Sequence, residues 1–342
     1  MTNSTPFRIV INGYGRIGQC VLRALYENGY RDHLQVVAIN ELSDIDTIAH
    51  LTKYDSTHGR FHGEVAVDGD NLVVNGDRIR VLRHPEPEEL PWRLLDVDLV
   101  LECSGAYSDR ATAEKHIEAG ARRLLFSQPG DPDVDRTVVF GINDGDLNGQ
   151  DVIVAAGSCT TNCLVPVIKV LDDAFGVEQG STTTIHAAMN DQPVIDAYHH
   201  QDLRRTRSAL HNIVPVDTGL ARGIERLLPH MVGRFSSVAM RVPTLNVSAI
   251  DMVVNVREPT DIAAVNQLLC SAAAGSLKGI LGYTDELLAS SDFNHDSHSG
   301  VVDGGQTRVT GGTMVKVLCW FDNEWGFANR MLDVSRTWLS KI

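Results

Sequence analysis

Cys159 stands in Gly157-Ser158-Cys159-Thr160-Thr161-Asn162-Cys163, between the apolar run VIVAA and a segment with an apolar stripe. A thiol there lies at a helix N-terminus. Free N–H groups and the positive dipole end favour the thiolate, the reactive form of cysteine. Ser158 and Thr160 suit N-capping. Cys163 follows about one turn later and points inward from the same face. The i, i+4 spacing is loose for a strain-free disulfide, which argues against a redox pair. His186, in TTTIHAAM, is the candidate partner, because an imidazole can take a thiol's proton and pass it on. Locally, two readings of each residue stay open. Cys159 is a nucleophile or a small buried apolar residue, and His186 is a general base or a structural histidine.

A second constellation is Gly13-Tyr14-Gly15-Arg16-Ile17-Gly18, directly after the strand-like FRIVIN and opening a helix. Gly13 permits a tight turn, Gly15 lets the backbone approach a pyrophosphate, and Gly18 lets the helix pack close to the strand. The helix N-terminus then offers N–H groups to the phosphates. Glu41 ends the next apolar run, 23 positions after Gly18 (41 − 18). A carboxylate there accepts from an adenosine ribose and repels a 2′-phosphate, favouring NAD over NADP. The competing reading is a glycine turn in a nucleotide-free α/β fold.

The elements that must position these residues follow from periodicity. Strands at 7–12, 35–40, 97–103 and 122–127 alternate with helices at 17–27, 46–54 and 109–120, which predicts a parallel sheet covered on both faces. After Cys159 a helix over 160–175 leads into long strands at 181–189, 236–242, 247–256 and 313–321. Several of these alternate polar and apolar residues, as an antiparallel sheet with one wet face does. A helix emerges within 257–275 and another closes the chain. We read a nucleotide-binding domain over 1–158 and an α+β domain over 159–325, with the helix 326–342 packing back onto the first.

Length and composition agree. The chain has 342 residues, enough for two domains. With 43% hydrophobic and 22% charged residues it has the balance of a globular protein. The net charge of −14 makes nucleic acid and anionic membrane poor partners. An anionic substrate would need local arginines or helix N-termini. Six cysteines form no disulfide framework, the N-terminus has no signal-peptide pattern, and no apolar run approaches the roughly 20 residues of a bilayer span. These features point to a reduced, cytoplasmic protein. His199-His200 and His295-Asp296-Ser297-His298 lack a second ligand cluster at metal-site spacing, so they read as exposed loop histidines and no metal is expected.

The blocks INGYGRIG, KYDSTHGRF, SCTTNC, TTIHA, RVPTLNVS, KGILGYT, SSDFNHDSHS and WFDNEWGFANR run from residue 9 to residue 330. In these residues the chain resembles the glyceraldehyde-3-phosphate dehydrogenase family. The resemblance implies an N-terminal Rossmann domain and a C-terminal α+β catalytic domain on a mostly antiparallel sheet. It implies an NAD-dependent oxidation of a small phosphorylated aldehyde, with Cys159 as nucleophile and His186 as base. It assigns Gly13, Gly15, Arg16, Ile17, Gly18, Glu41, Ser104, Gly105 and Asn323 to the cofactor. Asn323 matches the residue that binds the nicotinamide carboxamide. Ser158, Thr160, Thr218 and Arg241 match two anion subsites. A homotetramer is implied too, with the 187–212 loop in an interface.

The chain departs from the family after the catalytic histidine. The usual His-Ala-x-Thr-x-Thr-Gln becomes His186-Ala187-Ala188-Met189-Asn190-Asp191-Gln192. Both threonine hydroxyls are gone, and a carboxylate at Asp191 should repel a phosphate. Arg204, Arg205 and Arg207 are candidate replacement donors, and Arg204 is assigned to the substrate. Glu41 replaces the usual Asp, and Phe327 a usual Tyr. The stretch resembles a branch of the family that acts on a four-carbon aldehyde phosphate and gives the acyl group to water. The alternatives are a phosphorylating enzyme for the three-carbon substrate and a non-catalytic NAD-binding scaffold.

Overall fold

The computed structural model describes residues 5–198 and 202–342. The chain divides into two compact units, Met1–Ser158 with Ala328–Ile342, and Cys159–Phe327. No helix among the described residues is long and apolar enough to cross a membrane.

The first unit carries strands β1 (Phe7–Asn12), β2 (Leu34–Asn40), β3 (Tyr54–Asp55), β4 (Gly59–Arg60), β5 (Val65–Asp68), β6 (Asn71–Val74), β7 (Asp77–Leu82), β8 (Leu99–Glu102), β9 (Leu124–Phe126), β10 (Arg136–Thr137) and β11 (Ile153–Ala155). Helices α1 (Arg16–Glu27), α2 (Ile45–Lys53) and α3 (Arg110–Glu118) connect them. Nine strands form one sheet in the order β10-β11-β9-β8-β1-β2-β7-β6-β5. From β10 to β7 every pairing is parallel. The wholly parallel sheet expected from sequence is thus corrected at one edge, where β5, β6 and β7 pair antiparallel. Tight turns link these three short strands, so they need no crossover helix.

Apolar β-branched runs bury the parallel strands on both faces, and Val10, Val100, Leu124 and Phe126 share one core with the fully buried Trp92. Asp44 caps α2 through the Thr47 N–H (2.8 Å), and Asp109 caps α3 through the Thr112 N–H (2.8 Å). The C-terminal segment joins this unit through Tyr30 Oη to Asp333 (3.0 Å) and Trp338 Nε1 to the Asn148 carbonyl (3.3 Å).

The second unit has α4 (Cys159–Phe175), β12 (Val177–Ala187), β13 (Val214–Val216), α5 (Leu220–Leu227), β14 (Phe235–Val242), β15 (Ser248–Val256), α6 (Ile262–Ala274), β16 (Leu281–Thr284), β17 (Gly300–Thr310) and β18 (Met314–Phe321). Helix α7 (Trp325–Leu339) begins here. Its seven strands run in the order β13-β14-β12-β15-β18-β17-β16. The sheet is mostly antiparallel. The parallel exceptions are β12 with β14 and β16 with β17.

A chain of buried polar groups lies at the strand ends of the first unit. Asn40 Nδ2 donates to Asn12 Oδ1 (2.7 Å), and Asn12 Nδ2 to Glu102 (2.5 Å). Trp92 Nε1 can only donate, so His116 Nδ1 accepts from it (3.0 Å). The neutral ring then carries its proton on Nε2 and donates to Tyr107 Oη (2.7 Å), which donates to Glu102 (2.9 Å). Burial pushes His116 down to about 4. The unfolded imidazole titrates near 6.5. As pH falls through that window the unfolded chain takes up the proton first, and stability drops by on the order of 3 kcal/mol. The Tm difference between wild type and His116→Gln is therefore expected to narrow between pH 6.5 and 4. A constant difference in calorimetry would contradict this.

Candidate active site

The glycine turn joins β1 to α1. Gly13 has φ of 87°, and a Cβ there would meet the Ser104 backbone at 2.4 Å. A Cβ at Gly18 would meet the Gly13 carbonyl oxygen at 2.4 Å. At Gly15 a Cβ would meet nothing within 4 Å, and no side chain caps the helix there. Two glycines are required by the protein's own packing, while the third faces open space beside helix N–H groups. That is the cradle a pyrophosphate needs.

Glu41 follows β2. Its carboxylate accepts from the Tyr14 N–H (3.0 Å) and the Leu42 N–H (2.9 Å), which fixes it against the glycine turn. Ile17 is half-buried in the first turn of α1. Arg16 forms a salt bridge with Asp55, whose carboxyl the pairing and backbone N–H groups lower to about 2 against burial. Ser104 donates its N–H (2.8 Å) and its hydroxyl to Glu102. Gly105 follows with φ of 69°. The donor and acceptor set fits NAD.

In the second unit Cys159 opens α4 and is half-buried. His186 lies near the end of β12, with Nε2 at 3.8 Å from the Cys159 Sγ. His186 Nδ1 lies 2.8 Å from the Ala187 carbonyl oxygen. A carbonyl only accepts, so Nδ1 carries the proton and the Nε2 lone pair faces the thiol.

The expected pull of the helix N-terminus on the Cys159 thiol is present but opposed by burial. Burial pushes the thiol up to about 12, and the Asp322 carboxylate adds to this, outweighing backbone N–H groups of Thr160 and Cys159 that pull the other way. Burial also lowers His186. Burial thus opposes charge on both groups, and His186 is positioned to take the thiol proton.

Asn323 is oriented by a neighbour that sequence reasoning missed. Ser248 Oγ accepts from the Ala187 N–H (3.0 Å) and gives its one proton to Asn323 Oδ1 (2.8 Å). The Asn323 amide N–H groups have no protein partner among the described residues. Only the position of Ser248 in RVPTLNVS hinted at this.

Arg241 on β14 is the register partner of His186 on β12 and is buried. Arg241 Nη1 donates to Asp191 Oδ1 (2.5 Å), and Asp191 Oδ2 accepts from Arg205 Nη1 (2.9 Å). The expected repulsion at Asp191 is thus offset by two guanidinium groups. Arg205 reaches this cluster, Arg207 pairs with Asp196 (2.8 Å), and Arg204 is exposed. Ser158 and Thr160 flank Cys159, both half-buried. Thr218 Oγ1 accepts from the Leu220 N–H (3.2 Å) at the start of α5.

His298 pairs with Asp296 (2.7 Å) and His295 stacks on Trp325 at 3.7 Å. Both are half-buried rather than the exposed loop histidines expected. His199 and His200 lie outside the described residues.

Residues 158–323 match the glyceraldehyde 3-phosphate dehydrogenase C-terminal domain, and residues 7–110 match the glyceraldehyde 3-phosphate dehydrogenase NAD binding domain. The chain belongs to the glyceraldehyde 3-phosphate dehydrogenase family. As a member it is an NAD-dependent oxidoreductase. The dehydrogenase's glycine turn yields a direct test. Gly18→Ala is expected to cost several kcal/mol by driving α1 off β1, of the order of overpacked cores. Gly15→Ala should leave the denaturation midpoint nearly unchanged while weakening NAD binding at least tenfold. Equal loss of stability in both variants would refute the division of roles.

Proposed function

We propose that the protein is a D-erythrose-4-phosphate dehydrogenase. It oxidises D-erythrose 4-phosphate to 4-phosphoerythronate, a step toward pyridoxal 5′-phosphate, and releases the acyl group to water. The observation that carries this reading is the stretch after His186. Met189-Asn190-Asp191-Gln192 followed by IDAYH and DLRRTR resembles that branch of the family. A thioether has no proton to donate, so Met189 withdraws a donor that an attacking inorganic phosphate would use. Water needs no such subsite. Phosphorylating oxidation of glyceraldehyde 3-phosphate is the alternative, since Arg241 also suits the shorter substrate.

In this reading the Cys159 sulfur attacks the aldehyde carbon as its proton passes to His186 Nε2 and from there to the aldehyde oxygen. A hemithioacetal forms. His186 then takes the hydroxyl proton as the carbon gives up a hydride and the carbonyl re-forms, leaving a thioester on Cys159, and the imidazolium passes that proton to solvent. Bound NAD supplies the hydride acceptor for this oxidation. Water adds to the thioester with His186 as base, the C–S bond breaks, and the sulfur is reprotonated. Arg241 holds the substrate phosphate. Ser158, Thr160 and Thr218 line the acyl-acceptor side, and Asn323 holds the nicotinamide carboxamide. The working form is a homotetramer in the cytoplasm.

Cys159→Ala is expected to abolish turnover while NAD still binds. Residual dehydrogenase activity would exclude the thioester route, and partner binding without activity in the wild type would favour a scaffold. His186→Asn should slow the chemical step by roughly 10²–10⁴-fold. The deciding measurement is kcat/KM for erythrose 4-phosphate and glyceraldehyde 3-phosphate, each with and without inorganic phosphate. Preference for the four-carbon aldehyde without phosphate supports the reading. A strict phosphate requirement with the three-carbon aldehyde overturns it.

A further inference from the structure

Arg241 is 6% exposed, yet its only side-chain partner among the described residues is Asp191, through Nη1. Its Nε and Nη2 donors have no protein partner there. A long guanidinium side chain has many rotamers to lose. Left loose, it would lose that freedom on meeting an anion, at a cost in affinity.

The Asp191 carboxylate spans two guanidinium groups, Oδ1 to Arg241 (2.5 Å) and Oδ2 to Arg205 (2.9 Å). Asp202 lies on the far side of Arg205, 3.4 Å from its Nε. A lone carboxylate against Arg241 would cancel the charge that an anionic substrate needs. Arg205 lessens this by sharing the Asp191 carboxylate with Arg241, although with Asp202 the four groups sum to zero (+1 − 1 + 1 − 1). Asp191 can then hold Arg241 without silencing it. The strand register keeps Arg241 beside His186, whose Nε2 faces Cys159. The clamp therefore sets where an anion can sit relative to the reacting sulfur.

We propose that Asp191 is a positioning residue, bridging Arg205 and Arg241 so that the remaining Arg241 donors face the anionic group of the substrate. This rests on the reading of Arg241 as the substrate-phosphate ligand. It differs from a simple vacancy in a phosphate site, because it makes Asp191 favourable for the phosphorylated aldehyde.

The experiment compares erythrose 4-phosphate with unphosphorylated glyceraldehyde in wild type, Asp191→Asn, Asp191→Glu, Arg205→Gln, Arg241→Gln and the Asp191→Asn/Arg241→Gln double variant. Folding is checked by Tm and NAD affinity. Asp191→Asn is expected to raise KM for the phosphorylated aldehyde about tenfold, the effect of one misplaced charge-assisted hydrogen bond. Its kcat should stay within about threefold on the same reasoning, and kcat/KM for glyceraldehyde should not move. Arg205→Gln should act in the same direction, Asp191→Glu should recover part of the loss, and the double variant should be no worse than Arg241→Gln alone. If Arg241→Gln raises KM for the phosphorylated aldehyde and Asp191→Asn does not, or lowers it, the clamp is overturned while the anion site stands. If Arg241→Gln leaves the preference for the phosphorylated aldehyde intact, the anion site itself fails, and the clamp with it.

Discussion

The chemistry of the Cys159–His186 pair depends on one hydrogen bond, from His186 Nδ1 to the Ala187 carbonyl (2.8 Å). It decides which ring nitrogen is protonated, and so whether a lone pair or an N–H faces sulfur at 3.8 Å. The bond is rigid because Ala187 ends a strand paired on both sides, with β14 and β15. The Ala187 N–H is also used, in the bond to Ser248 that orients Asn323. One residue thus sets a tautomer with its carbonyl and helps set an amide orientation through its N–H. An imidazole whose lone pair faces sulfur can take the thiol proton as the sulfur attacks.

The first unit solves a different problem with similar means. Its parallel strands end in Asn12, Asn40 and Glu102, all buried. Buried polar groups are costly unless satisfied. Here each is bonded to the next, and the chain of donors continues through Tyr107 and His116 to Trp92. Ser104 hangs from Glu102, and its backbone lies against Gly13. The network beneath the strand ends therefore holds the turn on which the cofactor depends.

Much of this was legible in the sequence where the signal is local. The glycine turn and the apolar strands follow from spacing over a few residues. Helix α4 begins at Cys159 as the Ser and Thr neighbours suggest. What escaped was non-local or a matter of competing magnitudes. The strands β5 to β7 are short and partly exposed, so they leave little hydrophobic pattern. The ion pairs of Asp191 reach residues 14 (205 − 191) and 50 (241 − 191) positions away, and no periodicity links them. Choosing Arg205 over Arg204 needed the path of the loop. For the thiol, helix N–H groups are visible in sequence, whereas the burial that opposes them is not.

Asp322 shows how the two halves of such a balance are joined. Its Oδ1 accepts from the Glu324 N–H (3.0 Å) and the Trp325 N–H (2.8 Å), capping α7. Its Oδ2 holds Asn246 (2.8 Å) and the His295 N–H (2.7 Å). The same negative charge raises the Cys159 thiol. The residue that secures the last helix and two loops thus makes the nucleophile harder to ionise. A more acidic thiol and a firmer scaffold compete here for a single carboxylate, so selection for faster chemistry at this site would run against the stability of the unit that carries it.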